Sequence, residues 1–289
     1  MDAQAFLRRL GDSVLVGDGA SGSLLQEWGL PADSCPDAWN LDNPDAVARL
    51  AADYRAAGSD IVQTNTFRSN AITLAGWGLE GKVDALNAAG VRLARQGAPD
   101  ALVAGSIGPC GKLLEPLGDF PAAQAAAAFR EQAEALAAAG ADLLIVETFY
   151  ALDEAGLAVA AAAATGLTVL ATMAFEPSGR TMMGVTPAQA TSLTGHGAVA
   201  VGLNCGGVGL EQVAALVSEL AAATSAPVVV QPNAGVAQLV DGRTVFPEPP
   251  AAMGRWAPEY RRRGARVIGG CCGTTPAHLA AISQALRQA

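Results

Sequence analysis

The amino-acid sequence predicts an α/β fold, a single (β/α)8 barrel of the TIM type with its functional site at the carboxyl ends of the strands. First, eight short runs rich in β-branched residues alternate with alanine-rich segments of helical spacing. Second, these runs are almost continuously apolar, which is typical of parallel strands covered on both faces. Third, nearly every run ends in a polar residue or a cysteine, an asymmetry that core packing does not explain.

Eight strands are predicted from these runs. They are Val14–Asp18, Asp60–Asn65, Leu102–Ile107, Leu143–Glu147, Thr168–Ala174, Val199–Asn204, Val228–Gln231 and Arg266–Gly269. Eight is the number of parallel strands that closes a barrel, and a doubly wound open sheet is the alternative. A barrel of this kind needs about 250 residues, so residues 1–289 are expected to form one domain.

The segments between the strands carry helix signals. The clearest predicted helices are Pro44–Ala57, Ala122–Ala139 and Leu210–Ala223. Asn43 and Thr275 each stand before a proline, which places a side-chain acceptor just ahead of the first helical residue. Glycines that tolerate positive φ stand between a helix and a strand at Gly58, Gly140 and Gly264.

The composition excludes several classes of partner. Hydrophobic residues make up 51% of the chain and charged residues 16%, the profile of a globular protein with a large core. Because the formal net charge is −9 and the only lysines are Lys82 and Lys112, no nucleic-acid or acidic-membrane partner is expected. Met1 to Leu10 lacks a signal-peptide core and no apolar run could span a bilayer, so a cytoplasmic protein is expected. In a reducing compartment the five cysteines suit metal binding or reactivity better than disulfides.

The residues at the predicted strand ends are the candidate functional residues, since barrel sites are built there. They are Asp18, Asn65, Ser106, Glu147, Glu176, Asn204, Cys205, Asn233, Cys271 and Cys272. Glu147 follows the apolar run Leu143–Val146, where an uncompensated carboxylate would be costly. Glu176 is expected to shape a turn, and a turn is also the alternative for Asp18. The three asparagines either shape a pocket or brace loops.

The segment from Val267 to Thr275 is the most informative, because it holds two adjacent cysteines among glycines. Successive side chains of a strand point to opposite faces, so Cys271 and Cys272 converge only if the glycines let the backbone turn. A disulfide between neighbouring cysteines would be strained. A third sulfur at the same level of the barrel is offered by Cys205, two strands away.

Three thiolates favour zinc over hard cations, and a zinc with three protein ligands keeps one position open for substrate. One zinc per chain is therefore predicted at Cys205, Cys271 and Cys272, with buried inert cysteines as the alternative. Such an electron-rich zinc is a weak Lewis acid, but it deprotonates an incoming thiol and keeps the thiolate nucleophilic. This chemistry indicates alkyl transfer to sulfur rather than hydrolysis.

The remaining histidines and cysteines are not expected to complete the site. His196 precedes its strand and therefore lies at the wrong end of the barrel, and His278 is expected at the surface in the first turn of the last helix. Cys35 and Cys110 are expected to be incidental loop thiols.

Six stretches of the chain occur in the order and spacing of one known family. They are Thr64–Phe67, Gly105–Pro109, Glu147–Phe149, Gly202–Cys205, Pro232–Gly235 and Gly269–Gly273. Over nearly all of its length the chain resembles the homocysteine S-methyltransferase family, and within it the homocysteine-binding barrel of cobalamin-dependent methionine synthase. This combination of motifs is highly specific, although single stretches are not.

The resemblance implies that the three cysteines bind zinc and that Asp18 and Glu147 hold the amino group of L-homocysteine. Backbone groups near Gly19 and Ala20, and around Ser106 on the third strand, would receive its carboxylate. The residue types agree, since a zwitterionic amino acid needs acceptors for its ammonium group. The strand-end asparagines would lie around this substrate.

The methyl donor is less constrained. Methionine synthase carries further folate and cobalamin modules, and none occurs in these residues, so separate corrinoid-binding or folate-binding proteins, or a small donor such as S-methylmethionine or betaine, are expected. The segment Ala237–Pro250 resembles the methionine synthase version more, which favours methylcobalamin, another methyl-corrinoid or methylfolate carried by a partner. Trp28 and Trp39 either pack in loops, which is favoured, or line a donor pocket through cation–π contact.

Two other functions stay open. Glycine-rich loops after the last two strands of a barrel often bind phosphate, which would make this a phosphate-binding barrel enzyme. The segment from Gly269 to Thr275 holds no lysine or arginine to assist that role. A non-catalytic module that stores zinc or docks a corrinoid protein is the second alternative.

Overall fold

Eight parallel strands form one sheet in the computed structural model, which describes residues 1–11 and 13–289. The strands are β1 Leu15–Val16, β2 Ile61–Gln63, β3 Leu102–Ile107, β4 Leu143–Phe149, β5 Thr168–Met173, β6 Ala200–Asn204, β7 Val228–Gln231 and, last in the chain, β10 Ala265–Ile268. Each overlaps the corresponding predicted run. Two further strands, β8 Gln238–Val240 and β9 Arg243–Val245, pair as an antiparallel hairpin that was not predicted.

The strand order confirms the predicted (β/α)8 barrel. Strands β2 to β7 are neighbours in chain order, β10 lies beside β7, and β1 lies beside β10. The first strand thus pairs with the last, whereas a doubly wound open sheet places its first strand in the interior. Between β1 and β2 the Asp60 amide donates to the Val16 carbonyl over 2.7 Å, and the Asp60 carboxylate accepts from the Val16 amide over 2.9 Å.

Helices surround the strands. They are α1 Ala3–Leu10, α2 Gly22–Glu27, α3 Trp39–Asp42, α4 Pro44–Ala56, α5 Ala71–Leu74, α6 Val83–Gly97, α7 Ala122–Ala138, α8 Leu152–Ala163, α9 Pro187–Ala190, α10 Leu210–Ala223, α11 Pro250–Arg262 and α12 Pro276–Gln288. The connection from β5 to β6 holds only the four-residue α9 and a 3-10 turn over Thr191–His196. In the described part of the chain, no helix combines the length and the apolar character needed to cross a membrane.

The predicted helix ends are confirmed in part. Gly58, Gly140 and Gly264 have φ of 106°, 91° and 112°, as expected between a helix and a strand. Thr275 caps α12 together with His278, whose Nδ1 accepts from the Thr275 amide over 3.1 Å. The predicted side-chain cap at the start of α4 is wrong, because the asparagine there makes no capping hydrogen bond.

Side chains inside the barrel form two layers. The lower layer is apolar and takes residues from all eight strands, and Phe6 and Leu10 of α1 cover it at the amino-terminal end. Along each strand the next inward position lies two residues further on. There the side chains become polar and stay buried, at Ser106, Glu147, Thr172, Asn204 and Gln231. The barrel therefore presents a desolvated polar floor below the strand ends.

Candidate metal centre

Three cysteine sulfurs meet above this polar floor. One ligand atom each from Cys205, Cys271 and Cys272 lies within 4.8 Å of the others, the one such cluster found among the described residues. The sulfurs of Cys205 and Cys272 are 3.8 Å apart. Cys205 follows β6 with φ of 55°, a conformation that is uncommon for residues other than glycine. This turn brings its side chain toward the pair that follows β10.

Backbone hydrogen bonds to the ends of neighbouring strands hold the glycine-rich turn after β10 in place. The amide of Gly269 donates to Val230, that of Gly270 to Asp18, and that of Cys271 to Pro232, over 2.8–2.9 Å. A Cβ at Gly270 would lie within 2.6 Å of the Thr274 side chain, so this position has no room for one. The turn lets the adjacent cysteines converge, as predicted, and it engages the amides that a phosphate would need.

The three thiols share one negative charge. Hydrogen bonds from Cys271 and Cys272 lower the pKa of Cys205 to about 3. Their role as donors to Cys205 raises the pKa of Cys272 to about 12 and that of Cys271 well above its ordinary value. Without a metal the cluster therefore consists of one thiolate solvated by two thiols.

Two buried carboxylates lie on the floor of the same site. Oδ2 of Asp18 accepts from the Gln63 amide over 2.6 Å, and its Oδ1 is buried without a hydrogen-bond partner. Glu147 accepts from the Ser106 hydroxyl over 2.5 Å and from the Asn204 amide over 3.2 Å. None of the ion pairs found among the described residues involves either carboxylate.

Burial makes both carboxylates hard to ionise. Desolvation raises the pKa of Glu147 to about 8, with smaller contributions from the charges of Asp18 and Cys205. Desolvation also raises the pKa of Asp18 to about 7, against the lowering effect of the Gln63 amide. Two acids held in this state are suited to receive a cation, since a bound positive charge would restore their ionised form.

The other predicted pocket residues make mainly internal contacts. Asn65 donates to the carbonyl of Pro36 and the side chain of Asn40, the contacts of the loop-bracing alternative. The amide of Ala20, next to Gly19, donates to the Thr274 hydroxyl. Their substrate roles stay predictions.

Asn233 lies against the cysteine cluster. Its side chain is close enough to contribute, after the larger effect of the two other cysteines, to the lowered pKa of the Cys205 thiol. Its Nδ2 donates to the Gly206 carbonyl over 2.9 Å, while its Oδ1 is buried without a partner. An unpaired buried amide oxygen is costly, so this atom is suited to a partner that the protein itself does not supply.

The expectation for His278 was wrong in part. Its ring is buried rather than at the surface, and its Nε2 lies 3.0 Å from the Glu248 carbonyl, so it is not a candidate ligand. His196 lies against Gly156 of α8, away from the sulfurs, as expected. Glu176 forms the predicted turn, in which its carbonyl accepts from the Gly179 amide.

The remaining loop residues pack as expected. Cys35 and Cys110 are buried in hydrophobic clusters apart from the three sulfurs. Trp28 and Trp39 pack against the core, and the Arg49 guanidinium lies 4.4 Å from the Trp28 ring.

Sequence reasoning gave no role to four residues that support the site. Thr148 has φ of 65° and bonds Asn204 through its amide and its hydroxyl. Thr172 donates its hydroxyl to the same asparagine. Tyr54 donates from α4 to the Ala20 carbonyl, and Thr274 accepts the Ala20 amide. Of these four residues, only Thr148 and Thr274 lie inside segments that the sequence predicts to be functional, namely Glu147–Phe149 and the glycine-rich segment from Val267 to Thr275.

Comparison with known proteins agrees with this geometry. The family model described as homocysteine S-methyltransferase matches residues 15–286. Methionine synthase of Mycobacterium tuberculosis is 32% identical over 301 aligned positions, which cover 96% of this chain and 25% of that protein. Methionine synthase of Mycobacterium leprae is 31% identical, over 97% of this chain and 25% of that protein. The chain thus spans about a quarter of the length of these curated relatives.

A solved structure of similar length also matches. The metallated form of the homocysteine methyltransferase MmuM from Escherichia coli superposes with a TM-score of 0.80 at 29% identity. The match covers 96% of this chain and 99% of MmuM. The similarity therefore extends over the complete barrel.

Proposed function

The chain belongs to the homocysteine S-methyltransferase family, and we propose that it transfers a methyl group to the sulfur of L-homocysteine, giving methionine, at a zinc held by Cys205, Cys271 and Cys272. The observation that carries this proposal is the meeting of three sulfurs beside two buried carboxylates, Asp18 and Glu147, that take part in none of the ion pairs found among the described residues. Residues 1–289 would act together as one homocysteine-binding barrel domain.

The sulfur positions fit zinc. A tetrahedral zinc with Zn–S bonds of about 2.3 Å places its sulfurs about 3.8 Å apart, and Cys205 and Cys272 have this separation. The donor set of three thiols is one that zinc prefers. A cytoplasmic, reducing location, which keeps these thiols available, is part of the proposal.

When bound, zinc would stabilise the substrate sulfur as a thiolate at neutral pH. The chain's own residues hold the rest of the substrate. The unpaired Oδ1 of Asp18 and the carboxylate of Glu147 would accept the ammonium group, and the raised pKa of each would fall toward its ordinary value on binding. Backbone groups near Gly19, Ala20 and Ser106 would receive the carboxylate. With the ammonium and carboxylate groups both held at the α-carbon, the side chain would extend with its sulfur toward the three cysteines.

The proposed donor is a methyl-corrinoid or methylfolate presented by a partner module, as the relatives named methionine synthase suggest. A small donor such as S-methylmethionine or betaine is the alternative. Both donors would reach the same sulfur, so the zinc and homocysteine assignments do not depend on the choice.

The test begins with metal analysis of the protein purified under reducing conditions with zinc supplied. About one zinc per chain is expected, and X-ray absorption at the zinc edge should show an added sulfur ligand when homocysteine is titrated. Methionine formation is then assayed with each donor class separately. A protein that takes up no zinc would overturn the proposal. Zinc and homocysteine binding without methionine formation from any donor would instead favour the storage or docking module.

A further inference from the structure

One buried side chain connects the carboxylate half of the site to the sulfur half. Asn204 ends β6 and is fully buried. Its Nδ2 lies 3.2 Å from Oε2 of Glu147 and 3.8 Å from the sulfur of Cys271. The same nitrogen lies 2.6 Å from the hydroxyl of Thr148. A single amide group therefore contacts both halves.

The orientation of this amide is fixed by its other end. Its oxygen accepts from the backbone amide of Thr148 and from the hydroxyl of Thr172, each over 2.8 Å. A backbone amide can only donate, so the side-chain oxygen must face it. The NH2 group thereby faces Thr148, Glu147 and Cys271, and its two hydrogens are shared among these three acceptors.

Asn204 also holds an irregular segment of β4. The pairing of β4 with β5 shifts between Val146 and Phe149, so that three steps of one strand oppose two steps of the other. Within this bulge Thr148 has φ of 65°, which is unfavourable for a β-branched residue. The backbone amide and the hydroxyl of Thr148 both bond to Asn204, and these two bonds hold Thr148 in that conformation.

The bulge decides where the side chains of β4 point. Without it, strict alternation would place Thr148 on the outer face and Phe149 inside the barrel. With it, Glu147 and Thr148 both face the site, while Phe149 returns to the outer face and packs against Phe129, with ring centroids 5.9 Å apart. The bulge thus adds Thr148 to the inward-facing side chains beside Glu147, and Asn204 bonds to both residues.

We propose that Asn204 is a positioning residue that sets the Glu147 carboxylate and the Cys271 sulfur from one amide group. It orients the carboxylate that would hold the ammonium group of the substrate. It also places an N–H donor on one of the sulfurs that would hold zinc, which withdraws electron density from that sulfur. This role rests on the proposed function and adds a residue through which the two halves of the site are coupled.

The experiment compares three variants of the full chain with the wild-type protein. Asn204→Ala removes both contacts. Thr172→Val is the matched control, because it removes a buried hydrogen bond to the same amide without touching Glu147 or Cys271. The double variant Asn204→Ala with Thr148→Gly tests the bulge, since glycine tolerates positive φ without a restraint.

Two quantities are measured. One is the Kd of homocysteine for the zinc-loaded protein, by calorimetry. The other is the wavelength of the sulfur-to-metal charge-transfer band after loading with Co2+, which reports on electron density at the sulfurs independently of activity.

Asn204→Ala is expected to weaken homocysteine binding about tenfold or more and to move the cobalt band to longer wavelength. Thr172→Val should leave both quantities near wild type while lowering thermal stability. The double variant should keep both the weakened homocysteine binding and the shifted band.

An Asn204→Ala protein whose Kd and band match those of Thr172→Val would overturn the inference and reduce Asn204 to a structural role. If Asn204→Ala alone does not fold, the double variant carries the test, and an unshifted cobalt band there would overturn the inference as well. A wild-type protein that binds neither metal nor homocysteine would instead indicate failure of the proposed function.

Discussion

Glu147 allows a quantitative prediction, because its carboxyl group is mostly protonated until a cation arrives. Burial raises its pKa from 4.5 to about 8, so only about a tenth of the groups are ionised at pH 7. A bound ammonium group needs the ionised form. Ionisation then costs about 1.4 kcal/mol at pH 7 and about 2.7 kcal/mol at pH 6, since one pH unit below the pKa corresponds to about 1.36 kcal/mol.

Glu147→Gln removes the charge and its titration together. A hydrogen bond to a charged group contributes about 1.5–3 kcal/mol, so at pH 8 the variant should bind the amino acid about 10 to 100 times more weakly. At pH 6 the wild-type protein loses most of that advantage to the ionisation cost. The ratio of the variant Kd to the wild-type Kd is therefore expected to rise from about 1 at pH 6 to at least about tenfold at pH 8.

Calorimetric titration with 2-aminobutyrate, which is homocysteine without its sulfur, measures this ratio free of the proton that the thiol releases. Asp18 titrates in both proteins, and its charge contributes less to the raised pKa of Glu147 than desolvation does, so it changes the ratio less than Glu147 itself. Zinc should leave the trend intact, because a divalent ion with three thiolates carries the same single negative charge as one thiolate with two thiols. A ratio that stays constant between pH 6 and pH 8 would refute the raised pKa. Equal affinities at every pH would refute the ammonium role.

Serine at any one of the three cysteines is expected to abolish stoichiometric zinc binding and leave the fold in place, as metal analysis and circular dichroism would show; zinc retained by all three variants would contradict the assignment. Gly19→Ala should lower the free energy of unfolding by about 1–3 kcal/mol, because its Cβ would lie 2.6 Å from the Thr274 hydroxyl and 2.8 Å from that of Tyr54. Urea unfolding can compare it with Gly22→Ala, whose Cβ would meet no atom within 4 Å. In the metal-free protein the contribution of Glu147 to stability should fall as the pH rises, because a carboxyl group whose pKa is raised by folding stabilises the protein below pH 4.5, and this contribution is lost as the pH passes about 8. The lowered pKa of Cys205 acts in the opposite direction, and it does so with or without the Glu147 carboxyl group. Glu147→Gln should flatten that decline in pH-dependent urea unfolding, and an unchanged slope would contradict it.

The barrel could be predicted because its signals are repeated. Eight apolar runs and the glycines between helices and strands all indicate the same fold, so an error at one position changes little. The hairpin of β8 and β9 was missed because its strands are three residues long and β8 is exposed along its whole length. Such short strands carry no burial pattern that a sequence can display.

The sulfur cluster could be predicted for a different reason. Glycines on both sides of Cys271 and Cys272 indicate a turn, and thiols at strand ends of one barrel are expected to meet. His278 was misjudged because helical position alone does not reveal that the Glu248 carbonyl covers its outer nitrogen. Contacts between segments thirty residues apart lie outside what local patterns encode.

Thr148 and Cys205 explain why the rest of the site was harder to predict. Each follows an inward-facing polar residue, and each has positive φ without being glycine. A regular strand end supplies one inward side chain, whereas this conformation lets β4 supply Glu147 with Thr148 and lets β6 supply Asn204 with Cys205. The gain is a second functional group from the same strand, and the cost is backbone strain of about 1–3 kcal/mol at each position. The sequence does not indicate which residues adopt this conformation. Glycine would mark such a position and would adopt positive φ without strain, but it would also remove the side chain that the conformation brings into the site.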